Sequence, residues 1–214
     1  MPKAIAQIEV QAVTPLTSTE RGVEVRRRLL AAAAELIPLV GWRGVSTRAV
    51  AQKAGVAPGL VHYHFDSVQS LLRQAVVEVM GEVLAAVPPV LSGAGSGEEA
   101  LGQLLASFDD FDGTDSTSLL FLEAYLAATR DSQLRAELSG LLDEVRAALT
   151  AWLDAQGTPT PAATAAVLVA ALDGVMLHRA LQPAMTTGEI GPVLRRLLGD
   201  PGSGTQEKER SERR

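Results

Sequence analysis

Residues 26–72 read RRRLLAAAAELIPLVGWRGVSTRAVAQKAGVAPGLVHYHFDSVQSLL, and this stretch decides the fold. Ser46, ahead of TRAVAQKA, offers a side-chain oxygen to the free amides of a first turn and predicts a helix over about 47–53. Gly55 reaches left-handed backbone angles without steric cost and supplies a tight turn. Pro58 suits the first turn of a further helix, to about His64, although Ala57 at the expected cap position has no oxygen to give. Two short helices at a glycine turn are the layout of a helix-turn-helix, whose second helix enters the DNA major groove.

Working outward, Thr17 and Glu20 have the spacing of a capping box for a helix running to about Val40. Its apolar residues Val25, Leu29, Ala32, Ala33, Leu36, Ile37 and Val40 fall on one face. Pro38 is expected to bend or fray the last turn, Gly41 to stop the helix, and Trp42 to join the core of the head. From Ser67 a long helix is expected to reach Pro88-Pro89, with LSGAGSG as a loop. Further helices follow over about 98–108, 117–129 and 132–155, with the acidic DDFDGTDS as a connection. The 162–181 helix is apolar nearly all round and is expected to be buried on more than one side. A short helix over 190–198 completes an all-α chain with no strand pattern and no internal repeat. The expected organisation is a loose arm over 1–16, a helix-turn-helix head over 17–66, a helical ligand-binding and dimerisation body over 67–199, and a disordered tail over 200–214.

Composition narrows the function classes. The chain has no cysteine, which removes disulfides, thiolate metal sites and thiol nucleophiles. The N-terminus lacks the pattern of a signal peptide, and no run of about 18 uninterrupted apolar residues marks a membrane span, so a cytoplasmic protein without a membrane partner is expected. The net charge of −6 is unevenly spread: residues 20–75 carry +4 and residues 76–204 carry −11. A basic end on an acidic chain suits a polyanionic partner, because attraction to phosphates decays over roughly 8 Å at physiological salt. An enzyme is disfavoured. Three histidines and scattered acids form no nucleophile-base arrangement, and neither HExxH nor a phosphate loop is present. His62 and His64, two residues apart on a helix, point in different directions and make a poor metal pair. No metal and no cofactor are expected.

The third helix of the head carries the chemistry. Val61 and Phe65 can anchor it, leaving Tyr63 and His64 to meet phosphates, sugars or thymine methyls. Gly59 would let the backbone come close to DNA, and Arg48 can reach a guanine edge with two hydrogen bonds. Thr47, at a helix N-terminus beside Ser46, is placed for a phosphate. His62 reads as an ordinary, partly buried ring.

This segment resembles the TetR family of bacterial regulators, over about residues 24–72, through STRAVAQKAGV, PGLVHYHF and Leu71-Leu72. The resemblance implies a ligand-responsive homodimer, usually a repressor, acting on a near-palindromic operator. It also implies DNA contacts from Thr47, Arg48, Pro58, Gly59, Tyr63 and His64. Two residues depart from the family pattern: His62 stands where tyrosine is usual, and Val68 where many members have a phosphate-contacting lysine. ALDGVMLHRALQP, at 171–183, looks similar to the BetI-like group and implies that this helix lies at a dimer interface. With the 132–155 helix it would form an intersubunit four-helix bundle, Ala163, Ala166, Ala170 and Gly174 allowing close approach. A small-molecule effector of unnamed chemistry is expected among the body helices, with Phe108, Phe121 and Tyr125 as lining candidates and Glu123 or Arg130 as polar anchors. The competing reading is a helical interaction or ligand-carrier module with a degenerate head.

Overall fold

The computed structural model describes residues 17–197, so the arm expected over 1–16 and the tail over 200–214 lie outside the described residues. Among the described residues all regular structure is helical. The first helix, α1 (Ser18–Val40), opens with the expected capping box: Thr17 N–H donates to Glu20 at 2.7 Å and Glu20 N–H donates to Thr17 Oγ1 at 3.2 Å. Pro38 does not end it, because the helix continues to Val40 and the Gly41 N–H still reaches the Ile37 carbonyl at 2.9 Å. A single 3₁₀ turn at Trp42–Gly44 leads to α2 (Thr47–Ala54) and α3 (Gly59–His64).

The body comprises α4 (Val68–Leu84), α5 (Val87–Gly93), α6 (Gly97–Ser107), α7 (Ser116–Ala128), α8 (Ser132–Ala155), α9 (Pro161–Arg179) and α10 (Thr187–Leu197). One expectation fails here. Pro88 and Pro89 do not terminate the long helix, which ends at Leu84, but sit in the first turn of α5, and that helix absorbs part of the expected loop. Proline is tolerated there because first-turn amides have no partner within the helix.

Two apolar clusters hold the chain together. In the first, Leu29, Ile37, Val50, Val61 and Phe65 of the head pack with Leu71, Leu72, Val76 and Met80 of α4 and with residues of α7 and α8. The second joins α5, α6, the later half of α8, α9 and α10 around Leu101, Leu149, Leu153 and Leu168. The head core therefore runs without a break into α4, and α4 bridges head and body.

By length and composition, Val68–Gly93 and Pro161–Arg179 are apolar enough to cross a membrane. The first packs through buried Leu71, Leu72, Val76 and Met80 along the side that meets the head and the body core. The second departs from expectation. Helix α9 buries Ala165, Leu168, Val169 and Met176 along one side and leaves Ala163, Val167, Ala170 and Leu177 exposed on the other, so within one chain it is covered on one side. That stripe repeats at 4-3-4-3-4 spacing through half-buried Gly174 to Leu181, two residues past the helix end and 84% exposed.

The connection between α6 and α7 is fastened to the end of α9. Arg179 is buried and donates to the carbonyls of Phe108 (2.6 Å), Phe111 (3.0 Å) and Met185 (2.8 Å) and to Asp109 (3.0 Å). Those bonds satisfy its charge in place of water. The Asp109 carboxyl, held below its usual range chiefly by the Thr187 hydroxyl and then by Arg179, ties α10 to the same point. Two of the acids in DDFDGTDS form turns: Asp112 accepts from the Thr114 and Asp115 amides, and Asp115 caps α7.

Candidate nucleic-acid interface and internal cavity

The helix-turn-helix is locked by α1. Ser46 caps α2, its hydroxyl accepting from the Ala49 N–H at 3.2 Å. Gly55 adopts φ +63°, and a Cβ there would lie 2.8 Å from the Arg28 guanidinium. That guanidinium occupies the turn because it donates to the carbonyls of Ala54 and Gly55, closing the C-terminal end of α2. Arg26 stacks 5.3 Å over the Phe65 ring, and Arg27 pairs with Glu24 at 2.7 Å. The three consecutive arginines thus make contacts within the protein, although among the described residues only Arg27 is paired with an acid and Arg26 keeps an exposed positive charge.

Arg48 is exposed and makes no hydrogen bond or ion pair among the described residues. Ser46, Pro58, Gly59 and Tyr63 are also exposed, while Thr47 and His64 are half-buried. Tyr63 projects with 79% of its surface open, its ring edge-on to His64 at 5.0 Å. Nothing lies within 4 Å of the position a Cβ would take on Gly59. Helix α3 begins through main-chain bonds to the Ala57 and Pro58 carbonyls without a side-chain cap. Buried Val61 and Phe65, four residues apart, fix which side faces out. His62 lies on the exposed side, so the partly buried ring expected there is corrected by the helix phase. Val68, the first residue of α4, is half-buried against the head core.

The body encloses a cavity of about 60 Å³ between α4, α6, α7, α8 and α9. Phe108, Phe121 and Tyr125 all line it. Glu123 and Arg130 do not. They border a separate cleft beside Trp42, and the Glu123 carboxylate accepts the Trp42 backbone N–H at 2.8 Å. The cause is helical phase: residues 121 and 125 share a face of α7, and residue 123 points away from it. The Trp42 indole N–H donates to Gln69 at 2.9 Å, so head and body meet through polar contacts as well as apolar ones, and within the body Arg73 of α4 pairs with Asp131 at the start of α8 at 3.1 Å.

Sequence reasoning named only these three aromatics of the lining, Phe108, Phe121 and Tyr125; among the residues it missed, Trp152 and Asp173 carry polar chemistry. The Tyr125 hydroxyl donates to Asp173 Oδ2 at 3.0 Å. Burial raises the Asp173 carboxyl above its ordinary range, and burial followed by the neighbouring carboxylate raises the Tyr125 phenol. A signal for Asp173 was present, since it is the lone acid interrupting the apolar run of α9.

Comparison with known proteins agrees with this architecture. Residues 29–75 match the family model for bacterial regulatory proteins of the tetR family, and residues 95–200 match that for the tetracyclin repressor-like C-terminal domain. The HTH-type transcriptional regulator BetI of Agrobacterium fabrum is 29% identical over 171 residues, covering 79% of this chain and 83% of BetI. Among solved structures, a TetR family member of Streptomyces coelicolor, SCO1917, is 32% identical with a TM-score of 0.65, over 81% of this chain and 98% of that one. The multidrug binding protein EbrR, solved with imidazole, is also 32% identical with a TM-score of 0.65, over 83% and 97%. The known relatives are regulators rather than enzymes. The exposed recognition helix, the all-helical body and these likenesses together place the chain in the TetR family of DNA-binding transcriptional regulators.

Proposed function

We propose that the chain acts in the cytoplasm as a homodimeric repressor, bound to a near-palindromic operator and released when a small molecule enters the body cavity. The observation that carries this reading is the double role of α4, which shares the head core through Leu71 and Leu72 and walls the cavity through Met80 and Leu84. A ligand that displaces the far end of α4 moves the head with it, and a few kcal/mol of differential affinity is enough to shift the population. EbrR, a multidrug binding protein by name, supports a small-molecule effector.

Dimerisation uses the open stripe of α9, from Ala163 to Leu181, together with the exposed side of α8, where Gly140 leaves room for a close neighbour. The domain division is a head over 17–66 and a body over 67–199. In the head, Ser46, Thr47, Arg48, Pro58, Gly59, Tyr63 and His64 face DNA. Two such heads would enter major grooves about 34–36 Å apart, or somewhat more, on the two-fold operator. Selection of random DNA by the purified protein should return a palindrome, and sedimentation should give a dimer that Leu177→Asp converts to monomer. Recovery of unrelated sequences, or a monomeric parent, refutes the reading.

Val68 leaves this grip without a cation at the start of α4. Val68→Lys should steepen the log-log dependence of operator affinity on salt by about one unit per head, the increment of one additional phosphate contact. An unchanged slope means that residue 68 does not face the backbone.

A further inference from the structure

We propose that the body cavity takes a lipophilic organic cation, an ammonium group on an aromatic or aliphatic body, with the Asp173 carboxylate as its counter-charge. The proposal rests on the effector-cavity reading above and assigns that site a ligand class. The cavity wall is hydrocarbon and aromatic, and Asp173 is the one acidic side chain in it. Between Pro161 and Leu177 of α9, Asp173 is also the one charged residue. A carboxylate in such surroundings is costly unless a positive charge or several hydrogen bonds compensate it. Among the described residues its carboxylate accepts one hydrogen bond, from Tyr125 at 3.0 Å. Among the described residues no cation lies within ion-pair distance of it. Arg146 offsets part of the burial effect on Asp173 through space, but it pairs with Asp143 at 3.9 Å and keeps 45% of its side chain exposed.

The carboxyl is accordingly displaced upward by burial, and a cation seated in the cavity would supply the missing charge where low polarity makes the attraction strong. Tyr125, Trp152, Phe108 and Phe121 add aromatic rings to the lining, the residue type whose faces attract the same charge. An anion of the same shape meets repulsion, and a neutral molecule leaves the carboxylate desolvated without return. The cavity of about 60 Å³ is far below the roughly 300–1,000 Å³ of a drug-sized site, so entry requires the walls to separate. Met80 and Leu84 of α4 form part of those walls, which links admission of the cation to movement of the head.

Three probes with one body and three charges test the proposal: 4-phenylbutylammonium, 4-phenylbutan-1-ol and 4-phenylbutanoate, titrated calorimetrically into the full-length protein and assayed for operator release. The ammonium should bind at least 10-fold more tightly than the other two and be the strongest releaser. Asp173→Asn keeps an acceptor for Tyr125 and should remove that preference, whereas Tyr125→Phe keeps the carboxylate and should retain most of it. Leu104→Trp, which fills the cavity, should weaken all three. If the alcohol or the carboxylate binds best and Leu104→Trp still abolishes binding, the effector cavity stands and the cation class is overturned. Retention of the ammonium preference in Asp173→Asn overturns the role of the carboxylate. If no probe binds, or Leu104→Trp is without effect, the effector-cavity reading fails and the proposal with it.

Discussion

Alanine at both Arg48 and Tyr63 is expected to lower operator affinity by about 30- to 25,000-fold, as measured by titration of labelled operator at fixed salt. Each side chain contributes through contacts outside the protein: Arg48 has no partner among the described residues, and Tyr63 is largely in solvent. A good contact to a base edge is worth about 1–3 kcal/mol, and two such losses at separate positions roughly add. Since neither residue is buried, the melting temperature should move by no more than about 1–2 °C, the range of an ordinary surface change. The pair also discriminates the competing reading, a helical interaction module with a degenerate head. Such a module would lose nothing measurable from either substitution.

Gly113→Ala is expected to be the most damaging single change in the body, destabilising it by about 3 kcal/mol or more and lowering the melting temperature by about 6–12 °C. Gly113 holds φ at +83°, and a Cβ there would sit 2.5 Å from the Ala180 amide nitrogen and 2.6 Å from the Met176 carbonyl oxygen. Both neighbours are main chain, in a segment fastened by the Arg179 contacts, so neither yields easily. The left-handed conformation adds its own penalty of about 1–2 kcal/mol for a residue with a side chain. Gly59→Ala is the control, because open space surrounds that glycine. A variant at 113 that melts with the parent would mean that the α6–α7 connection can lift off α9 at little cost.

The parts of this fold legible from sequence are those fixed by local chemistry. The bounds of α1 follow from its capping box and Gly41, those of α8 from apolar residues repeating at helical spacing, and the turn at Gly55 from the one residue that fits it. Reading failed where one residue type permits opposite local outcomes. Pro88-Pro89 can stop a helix or begin one, and the choice depends on where α5 packs. The cavity lining was half legible for the same reason. Phe121 and Tyr125 declare themselves as aromatics on one helical face, but Glu123 was assigned to the wrong cleft because its partner, the Trp42 amide, lies 81 residues away in sequence. Asp173 was visible as an interruption in an apolar run. Its meaning required the fold, which brings it to Tyr125 across 48 residues.

The chain has two tryptophans, and the fold gives them separate posts. Trp42 is clamped at the seam between head and body by Glu123 and Gln69, while Trp152 looks into the cavity. The protein therefore carries two native fluorophores, one beside each of the events that a ligand-controlled regulator must connect. Replacing either tryptophan with phenylalanine isolates the other, so that occupancy of the body and release of the head can be timed against each other by emission, without attaching a dye to a chain that has no cysteine to receive one.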